Sequence, residues 1–175
     1  RFIRFDAIGF AWKELGTTCM HLPQTHELIK LMRCVLESCA RGCTIITETN
    51  VPHKENISYF GSGYDEAGLV SQFPLPPLTL YSYLSGSAEH LSDWAAGLEP
   101  TTEATAYFNF LASHDGIGLR PVEDILSEGE RRLMVAQVME RGGEVGYRSL
   151  ADGSMVPYEL HINYLDAIAG NETDM

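Results

Sequence analysis

A chain of 175 residues has room for one domain of ordinary size, with a sizeable core and no need of a disulfide scaffold. Apolar residues make up 45% and charged residues 21%, and no run approaches the ~18 uninterrupted apolar residues of a membrane span, which excludes disordered, collagen-like and membrane-spanning classes. Twelve Lys and Arg against twenty-four Asp and Glu give a formal charge of −12, a field that repels polyphosphate backbones and anionic lipid. Neither nucleic acid nor a membrane is an expected partner.

The opening residues, Arg1-Phe2-Ile3-Arg4-Phe5-Asp6, lack signal-peptide anatomy and read as the inside of a strand, so the chain is expected to belong to the middle of a larger protein. Short apolar runs then alternate with longer helical segments, the pattern of α/β architecture with a parallel sheet. Strands are predicted over 2–7, 44–48, 69–73 and 107–113. A helix over 27–39 carries an apolar stripe of Leu28, Leu31, Met32, Val35 and Leu36 and stops at Arg41-Gly42. Two more helices are expected, over 75–85 after Pro74 and over 88–96 with Leu91 and Trp94 on one side.

Beyond the fourth strand, Ser127-Glu128-Gly129-Glu130 is a capping box that opens an amphipathic helix through Arg141, ended by Gly142-Gly143. Strands over 145–149 and 155–160 flank the turn signal Asp152-Gly153. Residues 121–165 are therefore predicted to form an α-plus-hairpin insertion. Cys19, Cys34, Cys39 and Cys43 contain no C-x-x-C pair, which leaves them as reduced structural thiols.

Strand periodicity places Arg4 and Asp6 on one face, costly in a buried sheet unless the two pair. An Arg beside a carboxylate keeps it ionised and oriented, as a carboxylate nucleophile requires; a structural ion pair is the alternative. Glu48 ends the second strand at the C-terminal edge where sites of parallel α/β proteins collect, unless it is a solvated strand end. Ser113-His114-Asp115 is predicted to end the fourth strand with a third carboxylate at that edge. Glu48 lies 42 residues after Asp6 and Asp115 lies 67 after Glu48, which fits βα units of ~30 residues in an eight-unit barrel. Paired carboxylates on one rim suit sugar transfer through an oxocarbenium-like transition state.

Arg4-Phe5-Asp6-Ala7, Thr47-Glu48 and Ser113-His114-Asp115 resemble, in order, the second, third and fourth conserved regions of the α-amylase superfamily, glycoside hydrolase family 13. The fuller strings over 4–13, 16–23 and 109–118 resemble its sucrose-phosphorylase branch. The resemblance implies a partial (β/α)8 barrel over 1–120, about its fourth to seventh units, then the insertion over 121–165 and a truncated return to the barrel over 166–175. It implies a retaining α-glucosyl transfer with Asp6 as nucleophile, Glu48 as acid/base and Asp115 as the stabilising third carboxylate. The division of roles needs Glu48 protonated while Asp6 stays ionised beside Arg4.

Substrate contacts implied in the same way are Arg4, Phe10, Asn50 and His114, with Tyr158 and Glu159 in a loop reaching over the acceptor side. Asn50 and Tyr158-Glu159 differ from sucrose phosphorylases proper and look closer to relatives acting on glucosylglycerate, glucosylglycerol or sucrose 6-phosphate. The substrates implied are a glucoside and inorganic phosphate, the product α-glucose 1-phosphate and the location cytoplasmic, with no cofactor and no metal. A hydrolase or transglucosidase using the same carboxylates, and a non-catalytic sugar-binding fragment, are the competing readings. His21 and His26 are expected in loop or cap roles, and Trp12 and Trp94 as core anchors. Half a barrel leaves open edges, so the polypeptide alone is expected to be inactive or weakly folded.

Overall fold

Residues 1–150 and 152–169 are described by a computed structural model, and they group into two compact units. The first comprises Arg1–Gln72 and Glu99–Asn109, the second Phe73–Leu98 and the described residues from Phe110 onward. Most of the truncated return expected over 166–175 lies outside the described residues, as does Ala151.

The first unit is α/β. Strands β1 (Phe2–Phe5), β2 (Thr44–Thr47), β3 (Leu69–Ser71) and β4 (Ala106–Phe108) lie side by side in that order, every pair parallel. Helix α1 (Pro23–Cys39) connects β1 to β2, and the short α2 (His53–Ile57) follows β2. Register sets Phe5, Thr47, Val70 and Tyr107 on one face and Arg4, Ile46, Leu69 and Ala106 on the other. The first face holds the core, where Phe5, Ile45, Val70 and Tyr107 meet Ile29, Met32, Leu36 and Tyr59. Helix α1 reaches it through Thr25, Ile29, Met32 and Leu36, spaced by four, three and four residues. Leu31 and Val35, predicted in the stripe, are instead exposed, because the packed ridge lies one position away from them.

The fourth strand is shorter than expected. The ladder needs a partner, and β3 stops at Ser71 before Pro74 and the next helix, so pairing ends where Gln72 N–H donates to Phe108 O at 2.9 Å. Residues 109–116 are consequently outside any strand, and Asp115 lies seven positions past the end of β4.

The second unit contains α3 (Leu75–Ser85), α4 (Glu89–Ala96), β5 (Ile117–Gly118), α5 (Glu128–Glu140), β6 (Glu144–Ser149), β7 (Met155–His161) and α6 (Tyr164–Ile168). Its sheet is antiparallel in the order β5-β7-β6. The β6–β7 turn passes through Gly153 at φ 83°, while Asp152 Oδ1 accepts from Ser154 N–H at 2.9 Å. The capping box forms as read: Glu130 N–H donates to Ser127 Oγ and Ser127 N–H to the Glu130 carboxylate. Leu78 and Leu80 of α3, Met134 and Val138 of α5 and Leu160 of β7 share one core, so α5 and the hairpin pack with the helices over 75–96. Among the described residues, no helix is long and apolar enough to cross a membrane, and the four cysteines form no disulfide.

Candidate active site

Parallel pairing of β1 with β2 brings Arg4, Asp6 and Glu48 together. Glu48 N–H donates to Phe5 O at 3.1 Å, extending the ladder one step past β2 and fixing the backbone from which the Glu48 side chain departs. That side chain is almost fully buried, and its Oε2 accepts the Ala7 N–H at 2.7 Å. Arg4 ties the group from the other side, with Nη1 2.5 Å from Asp6 Oδ1 and Nη2 4.0 Å from Glu48 Oε1. Asp6 is about half exposed, so one carboxyl faces solvent beside a guanidinium while the other is enclosed.

Buried hydrogen bonds hold the end of β2. Thr49 Oγ1 donates to Asn56 Oδ1 at 3.0 Å, Asn56 Nδ2 to Ser71 O at 2.7 Å, and Ser71 Oγ to Thr47 O at 3.0 Å. The loop after β1 is held as tightly. Ala7, Cys19 and His21 all have positive φ, and the His21 N–H donates to Gly9 O at 3.1 Å. A Cβ at Gly9 would come within 3.2 Å of Tyr59 Oη and 3.3 Å of Thr49 Cγ2, so the turn packs against both.

Tyr59 is fully buried, shares a 2.7 Å hydrogen bond with His21 Nδ1 and stacks on His26, whose Nδ1 is 2.8 Å from Glu66 Oε2. Burial, with Glu66 nearby, pushes the Tyr59 phenol well above its ordinary value, so it stays protonated. His21, in the loop before α1, and His26, in the first turn of α1, stand at the loop and helix-start positions expected of them and join Tyr59 and Glu66 in a partly buried polar network. Tyr59 and Asn56 were not singled out from the sequence; the signal available was a run of polar residues, Thr47, Thr49 and Asn56, around an otherwise apolar strand.

The remaining sequence-predicted residues divide by unit. Phe10 is exposed, with Lys13 Nζ 4.9 Å above its ring, and Asn50 is partly buried two positions past Glu48. In the second unit, His114 Nε2 lies 3.6 Å from Asp115 Oδ2, both side chains being substantially exposed. The turn carrying them runs close over β7, since a Cβ at Gly116 would sit 2.7 Å from Leu160 O. A cavity of about 180 Å³ beside Asp115 is lined by Phe73, Phe110, Ser113 and Asn163. Tyr158 and Glu159 are in the central strand β7, where Glu159 pairs with Gly118 and Gly146, and not in a loop. The apolar alternation over 155–160 competes with the loop expected at that position, and the sheet ladder wins. Among the described residues, no group of three or more His, Cys, Asp or Glu side chains could hold a metal ion.

No family model matches the chain. The glucosylglycerate phosphorylase of Allomeiothermus silvanus is 52% identical over 172 residues, covering 98% of this chain and 31% of that protein. The sucrose phosphorylase of Bifidobacterium adolescentis is 35% identical over 118 residues, covering 67% of the chain and 21% of that protein. Among solved structures, the sucrose 6F-phosphate phosphorylase from Thermoanaerobacter thermosaccharolyticum superposes with a TM-score of 0.77 at 20% identity, over 96% of this chain and 33% of its own. The chain thus spans a third or less of the length of each of these three relatives. By sequence it belongs to the glucosylglycerate and sucrose phosphorylase group of glycoside hydrolase family 13.

Proposed function

We propose that this chain is a segment of a retaining glycoside phosphorylase, with Asp6 as nucleophile and Glu48 as acid/base. The observation that carries the reading is the Arg4–Asp6–Glu48–Ala7 arrangement, in which one carboxylate is exposed and ion-paired while the other is enclosed at the adjoining strand end. In the first step Asp6 attacks the glucosyl C1 as Glu48 gives its proton to the departing oxygen, leaving a β-glucosyl ester on Asp6. In the second, phosphate attacks C1 and displaces Asp6, and the Glu48 carboxylate takes the proton of the incoming phosphate. The two inversions give α-glucose 1-phosphate. His114 and Asp115 bind the glucosyl hydroxyls in this reading, Phe10 and Asn50 line the same subsite, and Tyr158 and Glu159 meet the acceptor.

Glucosylglycerate is the favoured donor, on the strength of the 52% identity to a glucosylglycerate phosphorylase against 35% to a sucrose phosphorylase. The segment corresponds in this proposal to about the fourth to seventh βα units of a (β/α)8 barrel over 1–120, with 121–165 inserted after the seventh strand. The chemistry calls for inorganic phosphate as substrate and for no metal or organic cofactor, and a sugar phosphate product points to the cytoplasm. The test is phosphate release from α-glucose 1-phosphate by the full-length protein carrying this segment, offered glycerate, glycerol, fructose or fructose 6-phosphate in separate reactions. Release with glycerate supports the proposal. Equal release with no acceptor favours a hydrolase, and none with any acceptor overturns the phosphorylase reading.

A further inference from the structure

Within the second unit, four stretches of chain converge on a cavity of about 370 Å³, inside the range of about 300–1,000 Å³ usual for small-molecule sites. The start of α5 supplies Arg131 and Arg132. Strand β6 supplies Arg148, which stands opposite Val156 of β7 in the ladder. Three of the twelve Lys and Arg of a chain with a net charge of −12 therefore line one cavity. Between them the wall is apolar, formed by Leu119, Leu150 and Val156.

The arginines are not fully matched by the chain. Arg132 pairs with Glu128, and Arg148 Nη2 lies 2.8 Å from Glu123 Oε1. Arg131 Nη1 donates to two carbonyls, Glu123 O at 3.1 Å and Leu126 O, and among the described residues Arg131 pairs with no carboxylate. Arg148 Nε is buried and has no acceptor among them either. A guanidinium stays charged at every ordinary pH, and a buried N–H without an acceptor is costly. With three arginines against Glu123 and Glu128, the groups around the cavity carry one positive charge in excess.

We propose that this cavity binds an organic monocarboxylate with an apolar body. A single negative charge balances the excess, and the two carboxylate oxygens are acceptors of the kind that the Arg131 and Arg148 guanidinium groups lack, in a shape that the planar fork of arginine matches. The wall of Leu119, Leu150 and Val156 suits a hydrocarbon or aromatic body. A phosphate monoester, with a charge of about −1.5 to −2 at neutral pH, exceeds what the cavity can balance. No residue of the proposed catalytic set lines the cavity, so the site goes beyond the phosphorylase reading and does not rest on it.

Isothermal titration calorimetry of the full-length protein, at constant ionic strength, tests the proposal with benzoate, benzyl alcohol and phenyl phosphate. Benzoate is expected to bind saturably with a Kd below about 1 mM, and each of the other two to bind about tenfold more weakly or worse. Arg131→Gln is expected to weaken benzoate by about tenfold or more. Since Arg131 also ties two carbonyls, Met155→Glu serves as a second variant. Met155 lines the cavity and is exposed, so this change is expected to leave the melting temperature in place while the added negative charge weakens benzoate by about tenfold. Four results would each overturn the proposal: no saturable heat with benzoate, equal binding of benzyl alcohol, tighter binding of phenyl phosphate, or undiminished benzoate affinity in either folded variant. None of these measurements requires glucosyl transfer, so a failure of the proposed function would leave them unchanged.

Discussion

The two segments that carry carboxylates of the proposed site are built differently. In the first unit, Glu48 ends a strand flanked by parallel neighbours, and the bonds from Ala7, Thr49, Asn56 and Ser71 fix the surrounding backbone and side chains. In the second, Asp115 sits in an irregular, exposed turn after a three-residue strand, close to His114. A group that must hold or release a proton on cue benefits from rigid enclosure, whereas one that grips sugar hydroxyls can ride on a turn that settles around its ligand. The contrast has consequences for which substitutions damage the chemistry and which damage the fold.

The largest effects are expected for Asp6→Asn, which removes the proposed nucleophile and should lower kcat by about 10⁴-fold or more with little change in melting temperature, since Asp6 is half exposed. Steady-state kinetics alongside thermal melts separate the two effects. Asn56→Ala is expected to act the opposite way, costing about 2–3 kcal/mol of stability by stranding Thr49 Oγ1 and Ser71 O in the interior. Denaturant unfolding of the full-length protein would measure it; a cost under about 0.5 kcal/mol would show that those bonds do not hold the strand end.

A smaller effect is expected at Glu130, which accepts from Tyr81 Oη, His90 Nε2 and Ser127 N–H. Hydrogen bonding, first from Ser127 and then Tyr81, holds its carboxyl down at about 2 from an ordinary 4.5. A depressed carboxylate stabilises the fold above its unfolded value and ceases to do so as pH falls through its folded one. Its contribution is thus present above pH 4.5 and is lost as pH falls from there toward about 2. Glu130→Ala, at about 1–2 kcal/mol, should flatten that part of the pH–stability curve. The smallest stability effect, within about 0.5 kcal/mol, is expected for Asp115→Asn, because the side chain is exposed. Under the proposed function, any loss of activity in this variant would then reflect lost sugar contacts and not a damaged fold.

Local signals account well for what the sequence made legible. Strands β1, β2 and β3 announce themselves by short β-branched runs, α3 by its proline punctuation, α5 by Ser127 and Glu130, and the β6–β7 turn by Asp152-Gly153. The elements that escaped depend on long-range partners. β5 is two residues long and exists only because Ile117 and Gly118 pair with Leu160 and Glu159. The end of β4 was set by where its neighbour stops, and the buried face of α1 by the sheet beneath it, neither of which is written in the local pattern. The same division runs through the proposed site. Arg4 with Asp6 follows from strand periodicity, but the Ala7–Glu48 bond joins positions 41 apart and required the fold.

The central claim is that Asp6 becomes covalently glucosylated, and trapping addresses it directly. The full-length protein would be treated with 5-fluoro-α-glucosyl fluoride, digested, and its peptides sequenced by mass spectrometry. The account requires a glucosyl ester on Asp6 that disappears when phosphate is added. A label on any other residue, or continued phosphate-dependent turnover by Asp6→Asn, would contradict it.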